Sequence, residues 1–242
     1  MDVVELRDFY STALGIAAEH SVAMALSAMW QRDSGGRLLG LGYPLPWLDR
    51  FASDAEQSLC IMPAGQGAIH WPSTTNSAVT LSYDDELPLS DAAVDQILMC
   101  HFLEHAENAN ACLAEAWRVL SPGGVIVIVA PNRRGVWARF ENNPFGTGKP
   151  YSRGQLNRLL RESRFTPETW GDALHFAPSK RDFSLKLRAS MEQMGRRLWP
   201  VFAGAICVVA SKQLYQGIPV TARAKRRIAV PVLVPQGTGR QT

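Results

Sequence analysis

Residues 87–132 read LPLSDAAVDQILMCHFLEHAENANACLAEAWRVLSPGGVIVIVAPN. Three elements can be read from this stretch. Val94 to Cys100 is a short run of mostly apolar residues, which predicts a buried strand. Ala109 to Leu120 carries apolar residues at helical spacing and runs into Ser121-Pro122-Gly123-Gly124, where proline and glycine stop a helix. Val125 to Val129 is apolar at every position, as in a central parallel strand covered on both faces. A strand, a helix and a second buried strand in that order form a unit of a parallel sheet.

Working outward, the same alternation recurs. Arg37 to Gly42 predicts a strand ending in a tight turn, a helix follows from about Leu45 to Asp54, and Ser58 to Met62 predicts the next strand. Asn76 to Ser82 alternates weakly and predicts a third. Residues 3–30 carry Leu6, Phe9, Tyr10, Leu14, Val22, Leu26 and Met29 at helical spacing, which predicts one or two helices packed on the sheet edge. A helix is expected from Ser152, a plausible N-cap, to Ser163, and a closing strand from Val201 to Ala210. The fold expected is a doubly wound, Rossmann-like α/β sheet, mostly parallel and seven-stranded, with helices on both faces. It would form one domain over 1–215, with a helical cap at 1–34, a loop on the substrate side at 131–151, a helical insertion at 180–198 and a basic tail at 216–242.

Composition agrees with one soluble domain. The chain has 242 residues, 46% hydrophobic and 19% charged, and this length supports a full core. The net charge of +3 is uneven: residues 221–242 hold Arg223, Lys225, Arg226, Arg227 and Arg240 and no acid, so the body is slightly negative. The body is therefore no general polyanion binder, and only the tail could contact nucleic acid, without interleaved aromatics for base stacking. Cys60, Cys100, Cys112 and Cys207 each lie in an apolar run without CxxC spacing, as buried thiols of a reducing cytoplasm do. The first residues, MDVVELRDF, lack the pattern of a secretory leader. The longest apolar stretch, 198–210, contains Pro200 and is too short to span a membrane.

The ordered set Leu87-Pro88-Leu89, Asp91, Asp95, His101-x-Leu103-Glu104-His105, Glu115-x-x-Arg118-Val119-Leu120, Pro122-Gly123-Gly124 and Pro131-Asn132 resembles the type 11 branch of the class I S-adenosylmethionine (SAM)-dependent methyltransferases. The resemblance is close over about 45 residues and implies SAM as cofactor. It implies cofactor contacts from the turn Gly40, Gly42 and Tyr43, from Met62 or Pro63 at the end of the second strand, and from Asp84 and Asp85. It places His101 at the end of the fourth strand, facing the cofactor's methyl group, where it could orient an acceptor or act as a base. A purely structural, hydrogen-bonded histidine is the alternative.

The chain departs from the family at the cofactor. Family members carry an acid two residues before the first glycine of the turn; here Gly40 stands in its place, and Pro44 and Pro46 replace later glycines. The ribose-binding acid at the end of the second strand falls on Met62 or Pro63, whose side chains offer no carboxylate. Losing two charged hydrogen bonds of about 1.5–3 kcal/mol each would weaken SAM on the order of 10²–10⁴-fold, unless Gly65-Gln66-Gly67 or Glu56 compensates. The third glycine of a dinucleotide-binding GxGxxG is also absent. His101 to His105 matches an inverted zincin HxxEH, but it follows a strand and no third ligand is evident, so no metal is assigned.

The loop after the central strand carries Asn132, Arg133, Arg134 and Trp137, then Asn143 to Tyr151. It could hold an anionic or planar substrate, or it could be a rigid lid that packs Trp137 and Phe145 with its arginines in solvent. Two functions are carried forward: methyl transfer from SAM to a small-molecule or protein acceptor, and a catalytically inactive binding or regulatory protein of the same fold.

Overall fold

The structure is a computed structural model that describes residues 1–30, 35–178 and 202–213. The expected helical insertion at 180–198 and the basic tail at 216–242 lie outside the described residues.

Helices α1 (Val3–Ser11) and α2 (Ala13–Met29) come first, each started by its own side-chain cap. Asp2 and Glu5 form a reciprocal capping box on α1, and Thr12 accepts from the Gly15 amide to start α2. Strand β1 (Arg37–Gly42), helix α3 (Leu45–Ala52) and strands β2 (Gln57–Pro63), β3 (Val79–Ser82) and β4 (Val94–Cys100) follow. Helix α4 (Ala109–Val119), β5 (Leu120–Pro131), α5 (Arg153–Glu162), β6 (Phe165–Ala173) and β7 (Ala205–Lys212) complete the order.

Among the described residues these strands form one seven-stranded sheet in the order β3-β2-β1-β4-β5-β7-β6. All pairings are parallel except those of β7, which runs antiparallel to both β5 and β6. Each buried strand points alternate residues to opposite faces. Leu38, Cys60, Met62, Leu98, Cys100, Val127 and Val129 pack under α1, α2 and α3. Leu39, Leu41, Ile61, Ile97, Met99, Ile126 and Ile128 pack under α4 and α5. Burial on both faces is why these strands read as unbroken apolar runs.

Three details differ from the sequence reading. Strand β6 is additional to the strands predicted individually; Pro167 and Gly171 interrupt it and its burial does not alternate. Strand β3 spans only four residues. Ser121 to Gly124 lies within β5 rather than in a separate helix-ending turn. Helix α4 stops at Val119 with Leu120 already extended, and Gly123, at φ +74°, falls where the pairing of β4 with β5 shifts register. The strand order reverses between β1 and β4, and the carboxyl ends of strands at such a reversal are where these sheets place ligands.

Candidate functional site

Two residues bring the crevice walls together. Gly42 ends β1 at φ +82°, and a Cβ there would stand 2.3 Å from the Cys100 carbonyl oxygen and 3.1 Å from that of His101. Only glycine allows this approach. The Tyr43 amide then donates to the Cys100 carbonyl at 2.8 Å. His101 directly follows β4, in the left-handed region at φ +51°. Its ring is 1% exposed.

His101 is held from three sides. Nε2 lies 2.7 Å from the Tyr10 hydroxyl of α1, and Nδ1 lies 3.1 Å from Glu104 Oε1. The His101 carbonyl accepts from Gln66 Nε2 at 3.0 Å. Gln66 in turn accepts the Val3 amide on its own carbonyl, which ties α1 to the loop after β2. Glu104 is as buried as His101, and its Oε2 has no hydrogen-bond partner among the described residues.

Aromatic rings enclose this group. Tyr10 stacks on Tyr43 with centroids 5.9 Å apart and meets Trp47 edge-on at 5.4 Å. Phe145 lies edge-on to the His101 ring at 4.9 Å and to Trp137 at 5.7 Å. Burial, followed by the neighbouring Cys100 and Tyr43, pushes the Tyr10 hydroxyl well above the usual phenol range. Burial likewise pushes Tyr43 up to about 12.

The cofactor candidates separate into two groups. Gly40, Gly42, Tyr43, Met62 and Pro63 are all buried. A Cβ at Gly40 would meet Pro44 Cγ at 2.6 Å and Leu48 at 3.2 Å, so the missing side chain there serves packing against α3. The second group lies at the β2–β3 side. Ala64, Gly65, Tyr83 and Asp85 are exposed and Asp84 is half-buried, and the two strand ends are joined by the Ala64 amide donating to the Ser82 carbonyl. Burial, then Asp85 and Glu107, raise the Asp84 carboxyl above its ordinary value.

As a test of fit for SAM, these residues form an open rim with a carboxylate for the nucleoside end. The methionyl end does not fit in this arrangement. The Gln66 amide and the Tyr10 hydroxyl are bonded to His101, and the carboxylate beside them, Glu104, is itself buried and turned to the His101 ring.

The loop after β5 is a packed lid. Trp137 is fully buried and donates its Nε1 to the Phe176 carbonyl. Asn132 donates to the Ala203 carbonyl at 2.8 Å and accepts from the Arg134 amide. Arg133 and Arg134 are exposed, with Arg133 reaching the Pro150 carbonyl. The lid thus brings Phe145 to His101 and leaves the two arginines outside.

Tyr10 entered the sequence reading only as an apolar position of a packing helix. No local motif marks Tyr10 as a partner of a histidine 91 positions away. Glu104 had a signal, since it sits three residues after His101 in the quoted motif.

The chain matches known proteins along this same region. The family model described as a methyltransferase domain matches residues 63–128, from the end of β2 through most of β5. The fold is the doubly wound, Rossmann-like sheet that solved methyltransferase structures share. A protein of Mycolicibacterium smegmatis named "Probable S-adenosylmethionine-dependent methyltransferase" is 34% identical over 94 residues, which are 38% of this chain and 36% of that protein. The chain therefore aligns with only about a third of that relative's length. A chain of the complex between the Haloferax volcanii Trm112 methyltransferase activator and a methyltransferase superposes with a TM-score of 0.64 at 14% identity, covering 88% of this chain and 99% of that one. A SAM-dependent methyltransferase of Thermotoga maritima gives 0.60 at 16% identity, covering 87% and 96%. Among the described residues no helix is long and apolar enough to cross a membrane.

Proposed function

We propose that the protein is a SAM-dependent methyltransferase, built as a single domain over 1–215 and working in the cytoplasm on a small-molecule or protein acceptor. The observation that carries this reading is where the family match falls. Residues 63–128 contribute the end of β2, all of β3 and β4 and most of β5, and so include the carboxyl ends of β2, β3 and β4, where such sheets place ligands. Asp84, with Asp85 beside it, is the carboxylate left for the nucleoside, on the rim with Ala64 and Gly65. His101 faces the acceptor. Arg133 and Arg134 stand at the outside of the lid, where an anionic acceptor would first meet them. The free, buried state of Cys60, Cys100, Cys112 and Cys207 supports a reducing compartment.

A second reading has its own support. The burial of Tyr43, Met62 and His101, and the Tyr10 ring against Tyr43 and His101, favour a methyltransferase-like protein that binds without catalysis. Fold alone does not carry activity. Thermal denaturation with millimolar SAM or S-adenosylhomocysteine (SAH), with mass spectrometry of copurified nucleosides, separates the two. A rise in melting temperature supports the enzyme, and no rise with either ligand supports the binding protein.

A further inference from the structure

The small net charge of the body hides a separation of charge. Strand β3 is one edge of the sheet and β6 the other. The residues just after β3, Asp84, Asp85 and Glu86, are acids. At the far edge α5 packs on β6 and α4, and it holds Arg153, Arg158 and Arg161 against one acid, Glu162. Arg158 and Arg161 are exposed, on the side away from the buried Leu156 and Leu160. Among the described residues neither has an ion-pair partner. Arg164, also exposed, follows the helix. Because β6 is antiparallel to β7, and β7 to β5, α5 runs from the carboxyl ends of the strands back to their amino ends. Its 10 residues span roughly 15 Å. At its start the exposed Arg133 of the lid extends the row, its Nε meeting the Pro150 carbonyl and its amide the Tyr151 carbonyl. Two half-buried tryptophans border the row. The Arg153 guanidinium lies over Trp170 at 5.8 Å, and Trp117 has Arg164 at 5.7 Å and Lys212 Nζ at 4.0 Å. Arg153 is also paired with Asp172, so its charge is partly neutralised. The described chain ends at residue 213, beside Lys212, and residues 221–242 add five basic residues, no acid and no aromatic.

We propose that the α5 face is a binding surface for single-stranded nucleic acid. Phosphates lie along Arg158, Arg161 and Arg164, and bases stack at Trp170 with Arg153 and at Trp117 with Arg164. A row of arginines with one acid attracts any polyanion. The tryptophans select among polyanions. A single strand exposes base faces, which stack on indole and guanidinium planes, whereas a duplex keeps those faces inside. An anionic lipid headgroup offers no planar partner. The tail sequence has charge without aromatics, and the fold supplies the aromatics beside the point where that tail begins. The row also reaches the lid at Arg133, so a strand bound along it ends near the crevice. The inference goes beyond the methyltransferase reading and does not depend on SAM.

Fluorescence anisotropy of a labelled oligothymidylate, titrated with the full chain over a range of salt concentrations, tests this. Arg158→Gln combined with Arg161→Gln, both at exposed positions, should leave the melting temperature unchanged. The double variant should lower the log–log salt slope by about 1.4, which is on the order of tenfold or more in affinity at about 0.1 M salt. An abasic oligomer with the same number of phosphates should bind the wild type on the order of tenfold more weakly, for want of a base to stack. Unchanged affinity in the double variant overturns the proposal, since the tail then carries the binding. Equal affinity for the abasic oligomer also overturns it, since the surface is then a general anion site. Sedimentation with phosphatidylglycerol vesicles in the absence of oligonucleotide binding overturns it as well. If the double variant does not fold, the abasic comparison on the wild type decides alone. SAH takes no part in these assays, so their outcome is independent of whether the methyl-transfer reading holds.

Discussion

Replacing Arg118 by alanine should remove a clamp on which the 87–91 segment depends. Arg118 Nε and Nη2 each donate to Glu115 at 2.8 Å, as a fork on one carboxylate. The same guanidinium donates to the Leu87 carbonyl at 3.0 Å and the Leu89 carbonyl at 2.8 Å, and Glu115 accepts the Leu87 amide at 3.0 Å. The side chains of Arg118 and Glu115 are 32% and 20% exposed, so solvent screens the pair in part. Its contact with Asp91, 81% exposed, adds little. A charged hydrogen bond is worth about 1.5–3 kcal/mol, and breaking a fully buried pair costs about 3–5 kcal/mol. Partial exposure places Arg118→Ala in the upper part of the first range and below the second, at about 2–3 kcal/mol of stability, or a fall in melting temperature of roughly 5–10 °C for a domain of this size. Arg118→Lys keeps the charge but not the fork and should lose about half as much. The Arg118 hydrogen bond, then that of the Leu87 amide, hold the Glu115 carboxyl below its ordinary value. Its contribution is thus present above the unfolded carboxyl range and is lost as pH falls through the lowered folded value. Urea unfolding from pH 7 to pH 3 tests both points. A loss under about 0.5 kcal/mol at pH 7, or an unchanged acid limb in Arg118→Ala, would refute this reasoning.

Gly42→Ala should destabilise the fold by about 2 kcal/mol or more, since the new Cβ meets the Cys100 carbonyl at 2.3 Å and the backbone stays left-handed; circular-dichroism melting checks it. Asp95 is held below the usual carboxylate range by its hydrogen bonds from Arg37, with further help from Ser121. Its stabilisation is lost as pH falls through that low value, so Asp95→Asn should flatten the acid limb of a melting-temperature profile while lowering stability at pH 7. Burial pushes all four thiols up, Cys112 and Cys207 to about 12. A colorimetric thiol reagent should leave the native protein unmodified for hours at pH 8 and titrate all four cysteines in denaturant.

The legible part of the fold was the part whose burial leaves a periodic or continuous trace. Strands β1, β4 and β5 are covered on both faces, and α5 begins at the side-chain cap, Ser152, that the sequence displays. Strand β6 was hidden because Pro167 and Gly171 break its pattern and neighbours, not propensity, make it a strand. That Glu115 and Arg118 pair follows from their spacing of three on one helix face; that the pair grips the 87–91 segment does not, because this needs the fold to bring residues about thirty positions apart together. The site divides in the same way. His101 was placed at the end of its strand from the motif alone. Gln66 was considered as a cofactor contact, and in the structure its amide binds the His101 carbonyl. Tyr10 shares one helix face with Val3 and Leu6, and nothing local separates a ring that seals a core from one that fills a site.

Calorimetric titration of SAH into the wild-type protein and into Asp84→Asn, at matched pH and salt, tests the central claim most directly. The account predicts measurable binding to the wild type and an affinity on the order of 10–100-fold weaker in Asp84→Asn, the value of one charged hydrogen bond. No heat from the wild type at millimolar SAH, with the protein folded, would contradict it.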